Sequence, residues 1–143
     1  MKALSVNVMC LSETQTAWGE RITRDMVGKE LNRSYQYATM TASTSKMWAA
    51  SLVKPGGTMI CADGTLSSKA AEKGQDPSGL GRWCYYTFIG ENKTCAYRCF
   101  HGQRIEHVGE STSFSQQYSL LRQKGTVKSD PQGQFIKEMR KFV

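Results

Sequence analysis

The chain has 143 residues, enough for one domain with a real core and too few for two ample ones. Nineteen Lys and Arg against twelve Asp and Glu leave a formal charge of +7, which fits a polyanionic partner, nucleic acid or a phosphorylated substrate. No apolar stretch approaches the roughly 20 residues of a membrane-spanning helix, and five cysteines without paired spacing read as a reduced, intracellular set.

Residues 3–11 predict a first strand, an apolar and β-branched run that delivers Glu13 to its end, followed by the polar Thr14, Gln15 and Thr16. Strand ends are where folds place reactive groups, because the strand fixes the carboxylate while the loop admits substrate. Residues 21–31 place Ile22, Met26 and Leu31 among charged neighbours and predict a short amphipathic helix. Residues 35–41 predict a strand, since Tyr35, Tyr37 and Thr39 alternate with other partners, and 41–46 a loop. The run Lys54-Pro55-Gly56-Gly57 is a turn signal leading into a strand over 58–62, which Asp63-Gly64 ends.

Residues 67–73 are ambiguous between strand and helix, and 74–81 form a turn-rich loop. That loop holds no Lys-Ser/Thr pair and opens no helix, so its glycines serve turns rather than a phosphate cradle. Residues 82–89 are the clearest strand, joined through Gly90-Glu91-Asn92-Lys93 to a hairpin partner over 94–100. Alternation in Trp83, Tyr85, Tyr86 and Phe88 favours sheet core over a base-stacking platform. Two helices follow. The first, over 115–124, is stopped by Gly125; the second opens on Asp130-Pro131 as N-cap and first helical residue. Cys95, Cys99, His101 and His107 have a spacing within loose zinc limits, but Cys95 and Cys99 fall on a strand and no knuckle is evident. Strands and helices in this order predict an α+β fold or a layered α/β fold.

Three stretches together resemble the endonuclease/exonuclease/phosphatase superfamily. Val8-Met9-Cys10-Leu11-Ser12-Glu13-Thr14 is similar to its strand ending in a metal-binding Glu followed by Thr. Lys54-Pro55-Gly56-Gly57-Thr58 and the segment from Gly74 to Trp83 resemble a retroelement-type branch, and Thr94-Cys95-Ala96-Tyr97-Arg98 its strand with a Tyr against the scissile phosphate. Ser115-Gln116-Gln117-Tyr118 and Asp130-Pro131 match the helices that follow. The resemblance implies a four-layer α/β/β/α sandwich of the DNase I kind and Mg²⁺-dependent cleavage of phosphodiester bonds in nucleic acid, DNA before RNA. It makes Glu13 the metal ligand, Tyr97 a catalytic phenol, and Arg98 and Arg82 phosphate contacts. Arg98 would lie on the opposite strand face from Tyr97.

The superfamily's supporting Asn strand, its Asp-x-Asn motif and its Asp-His pair have no counterpart here. The expectation is therefore about half of such a domain over 1–143, without turnover by itself and prone to self-association through an uncovered sheet. The alternatives are a non-catalytic basic domain that binds nucleic acid, or an inert remnant.

Overall fold

The computed structural model describes residues 6–47, 54, 56–100, 112–125 and 130–142. The chain forms two compact units, 1–101 and 102–143. The fold is α+β, with two antiparallel sheets and four helices among the described residues.

The first unit is built on two three-stranded sheets. Strands β1 (Val8–Ser12), β2 (Thr39–Ser43) and β3 (Thr58–Ala62) form one, in the order β1-β3-β2. Strands β4 (Ala70–Gln75), β5 (Trp83–Ile89) and β6 (Thr94–Phe100) form the other, in chain order. β3 is the central strand of the first sheet and all five of its residues are buried, because both of its faces are covered. Its even residues Ile60 and Ala62 meet Cys84, Tyr86, Phe88 and Cys99 of the second sheet, with Val8, Leu66 and Ala70 at the margin. Its odd residues Met59 and Cys61 meet Trp18, Val27, Leu31, Met9 and Met40. The period of two in a pleated strand thus feeds two separate cores. Each large side chain buried in this way contributes on the order of 2 kcal/mol.

Helix α1 (Arg21–Ser34) lies over that second core. Its apolar stripe differs from the predicted one. Val27 and Leu31 pack inward, while Ile22 and Met26 are exposed. Val27 and Leu31 are four apart and share a face; Ile22 and Met26 share another, about 100–140° around the helix from Val27. The helix also runs three residues further than predicted, to Ser34, and Tyr35 N–H caps it by donating to the Leu31 carbonyl at 2.8 Å. This displaces the predicted 35–41 strand. Tyr37 takes a left-handed φ of 58° in the connecting turn, and β2 begins only at Thr39. Part of the expected 41–46 loop is consequently strand.

The ambiguous 67–73 segment divides between a one-turn helix α2 (Gly64–Ser67), capped by the Asp63 carboxylate, and β4. The strands expected over 58–62, 82–89 and 94–100 form at or within one residue of those bounds. In the second unit, α3 (Ser113–Gln123) and α4 (Pro131–Phe142) pack on each other. Thr112 Oγ1 accepts from Ser115 N–H at the start of α3, and Gly125 at φ 72° ends it. Asp130 Oδ1 accepts from Gly133 N–H at 3.0 Å, the N-cap expected before Pro131.

Candidate functional site

Glu13 leaves β1 by a sharp change of backbone direction. Its φ is 55° and that of Gln15 is 49°, both left-handed for residues that carry a Cβ. Each such residue costs about 1 kcal/mol or more, so neighbouring structure must hold it. The holding partner is the glycine turn. Thr14 N–H donates to the Gly57 carbonyl at 3.3 Å, Gln15 N–H to Gly56 at 2.9 Å, and Lys54 N–H returns a bond to the Gln15 carbonyl at 3.2 Å. Gly56 and Gly57 themselves sit at φ 73° and 88°. A Cβ on Gly57 would stand 2.6 Å from Thr14 Oγ1, so only glycine lets the two loops close. Thr14 Oγ1 in turn accepts from Trp18 Nε1 at 2.7 Å, which ties the loop to the core under α1. Glu13 is an exposed residue at the end of this assembly.

Lys54 is a residue that motif reasoning passed over. It is 5% exposed, and among the described residues its Nζ has no hydrogen-bond partner. Its position directly ahead of the Pro-Gly-Gly turn was the available signal. Its backbone N–H, donated to the Gln15 carbonyl, helps hold the loop that carries Glu13.

The other expected site residues are distributed differently. Arg82 lies at the same end of the sandwich as Glu13: Ser43 and Ser12 both pair with Thr58, and Ser45 bridges to Leu80. Its side chain is 1% exposed and turned inward to Asp76, with Nε to Oδ2 at 2.7 Å and Nη2 to Oδ1 at 3.0 Å. Ser78 adds donations to Oδ1 from its N–H at 2.9 Å and its hydroxyl at 2.6 Å. Burial alone would raise the Asp76 carboxyl, but the bonds from Arg82 and Ser78 outweigh it and hold the carboxyl below its ordinary range. Arg82 therefore braces the 76–82 loop, with two of its three guanidinium nitrogens, Nε and Nη2, engaged with Asp76.

Tyr97 is on the inner face of β6, opposite Tyr86 and edge-on to Phe88 with ring centroids 5.8 Å apart. Arg98 is on the other face, opposite Tyr85, as strand alternation predicts. The level of Tyr97 along the sandwich follows from contacts between the sheets. Cys99 Sγ donates to the Leu11 carbonyl at 3.1 Å, Cys84 Sγ to Thr41 at 3.9 Å, and Thr39 Oγ1 meets the Tyr86 hydroxyl at 2.7 Å. These pairs make β6 run in the same sense as β1. Tyr97 precedes Cys99 by two residues and Glu13 follows Leu11 by two. Four residue rises, about 13 Å, therefore separate them along the strands. The backbones of Glu13 and Tyr97 thus stand at different levels of the sandwich. A motif in one dimension does not report such an offset.

No group of three or more His, Cys, Asp and Glu side chains able to hold a metal occurs among the described residues. His101 and His107 of the zinc expectation lie outside the described residues. No helix among the described residues is long and apolar enough to cross a membrane. No protein-family model, curated protein or solved structure matches the chain.

Proposed function

We propose that this chain is an endonuclease-like phosphodiester-binding domain of the endonuclease/exonuclease/phosphatase kind, in which Glu13 is half of a metal site and turnover is absent or slight. The observation that carries the reading is the left-handed backbone at Glu13, held by the paired loop 14–15 and glycine turn 56–57. Non-glycine residues in sparsely populated backbone conformations cluster at functional sites, where surrounding structure sustains them. Two facing three-stranded sheets with a helix over one of them support a DNase I-like sandwich.

The donor set meets only the minimum for Mg²⁺. The cation is bound by one or two carboxylates and keeps several waters, and an exposed Glu13 supplies one carboxylate. When bound, Mg²⁺ would polarise a phosphoryl oxygen and stabilise a leaving oxyanion. The chain's own residues have simpler tasks. Glu13 orients the bound group, and Thr14 and Gln15 fix the backbone that carries it.

The second reading is a basic module that binds nucleic acid without catalysis, favoured by the +7 charge and by the lack, among the described residues, of any group of three or more metal-ligating side chains. Plasmid and abasic-site DNA incubated with and without Mg²⁺ separates the two. Metal-dependent cleavage or metal-enhanced binding, lost in Glu13→Gln, supports the first. Absence of both metal-dependent cleavage and metal-enhanced binding overturns it, and salt-sensitive binding that persists without them favours the second.

A further inference from the structure

At the end of the sandwich away from Glu13, a groove of about 340 Å³ opens between the α2 turn and the β5–β6 hairpin. It is lined by Leu66, Phe88 and Tyr97 on its apolar side and by Lys69, Lys93 and Glu91 on its polar side. Phe88 belongs to the core, whereas Tyr97 is 38% exposed, so the phenol ring carries core packing out into the groove. The two lysines are held in place by their own backbones. Ile89 N–H donates to the Lys69 carbonyl at 2.9 Å and Gly90 N–H to the Lys93 carbonyl at 2.7 Å. Consecutive residues at the end of β5 therefore anchor one lysine on each side, and both side chains are exposed.

We infer that this groove takes one nucleotide of a single-stranded nucleic acid, its base against Tyr97 and its flanking phosphates against Lys69 and Lys93. The volume is at the lower end of the roughly 300–1,000 Å³ typical of small-ligand sites, room for one nucleotide unit. A flat apolar wall between two cations matches a ligand with an aromatic body and anionic ends. Base stacking on an exposed aromatic, combined with a basic rim, is the general physics of single-strand binding. Two lysines against the single carboxylate of Glu91 keep the rim positive. The site shares a nucleic-acid partner with the proposed function but uses none of the chemistry at Glu13, and it gives Tyr97 a role where the structure places it.

The test uses the full chain and a fluorescein-labelled oligothymidylate, read by anisotropy in EDTA across a salt series. Tyr97→Ala is expected to weaken binding about tenfold, with Tyr97→Phe within about twofold of the parent. Lys69→Gln with Lys93→Gln is expected to reduce the slope of log affinity against log salt by about 1.4, the value for two single-strand phosphates. Unchanged affinity in a Tyr97→Ala chain that retains its thermal transition overturns the inference. Should that variant fail to fold, an unchanged salt slope in the double lysine variant overturns it instead. Glu13→Gln binds normally in this assay if the groove is the site; loss of binding there would place the strand at Glu13 and refute the groove. Absence of Mg²⁺-dependent cleavage, with groove binding intact, would count against the metal reading alone.

Discussion

Removing the Asp76 carboxylate tests whether Arg82 is a brace or a substrate contact. In the folded chain the carboxylate accepts from Arg82 at its backbone N–H (3.1 Å), Nε (2.7 Å) and Nη2 (3.0 Å), and from Ser78 at two further atoms. Arg82 and Asp76 side chains are 1% and 0% exposed, so solvent cannot replace what is lost. Breaking a buried pair from one side typically costs about 3–5 kcal/mol, because the surviving charge stays buried without compensation. Asp76→Asn keeps some hydrogen bonding to Ser78 and belongs near about 3 kcal/mol; Asp76→Ala belongs near about 5. Against a total stability of about 5–15 kcal/mol, the alanine variant stands close to global unfolding.

Urea denaturation followed by fluorescence provides the assay. With a slope of roughly 1.5 kcal/mol/M, Asp76→Asn should lower the midpoint by about 2 M. Replacing both partners, Asp76→Leu with Arg82→Met, should recover most of the loss, since a well-packed apolar pair can equal or exceed a buried ion pair. The Asp76 carboxyl is held below its ordinary range in the fold. Its contribution is therefore complete above the unfolded carboxylate range, about pH 4, and is lost as pH falls through the lower folded value. The gap between parent and Asp76→Asn should close correspondingly in acid. A midpoint shift below about 0.5 M, or a gap independent of pH, would refute the brace and return Arg82 to the list of substrate contacts.

Two further outcomes follow from other parts of the fold. Gly57→Ala must place a Cβ 2.6 Å from Thr14 Oγ1 at a φ of 88°, and should cost about 2 kcal/mol or more in urea while weakening any Mg²⁺ effect that depends on Glu13. Retention of both stability and metal response would mean that the glycine turn does not hold the Glu13 loop. Among the cysteines, burial pushes the Cys84 thiol up to about 12 and the Cys99 thiol up to about 11, while Cys10 and Cys95 are exposed. At pH 8 an aromatic disulfide reagent should modify Cys95 quickly, Cys10 more slowly because partial burial raises its thiol, and Cys61, Cys84 and Cys99 only on unfolding. Fast labelling of Cys84 in the native chain, traced by peptide mapping, would show that the two sheets are not closed over it.

Local chemistry made several elements readable in the residues alone. The 58–62, 82–89 and 94–100 strands follow from β-branched and aromatic runs between turn signals, and Gly125 and Asp130 mark helix ends by backbone and capping preferences. The same locality explains the errors. Tyr35–Thr41 has strand composition, but α1 continues through Ser34 and converts Tyr35 and Tyr37 into cap and turn. Ile22 and Met26 mark an apolar stripe that the core does not use, because the choice between neighbouring helix faces depends on where the sheet lies. Glu13 could be singled out from its place after a strand. That it adopts a left-handed backbone, closed by Gly56 and Gly57 more than forty positions later, is a contact between distant segments.

The sequence by itself thus determined that 82–89 and 94–100 pair as a hairpin, where those strands and the 58–62 strand stop, and that a carboxylate follows the first strand. The tertiary structure alone decided which polar residues share a site. Stagger between two sheets moves Tyr97 about 13 Å along the strands from Glu13, and burial turns Arg82 from a phosphate contact into the partner of Asp76. Periodicity specifies the face on which a side chain emerges, whereas level and burial depend on how separate sheets and loops pack, which no local pattern encodes.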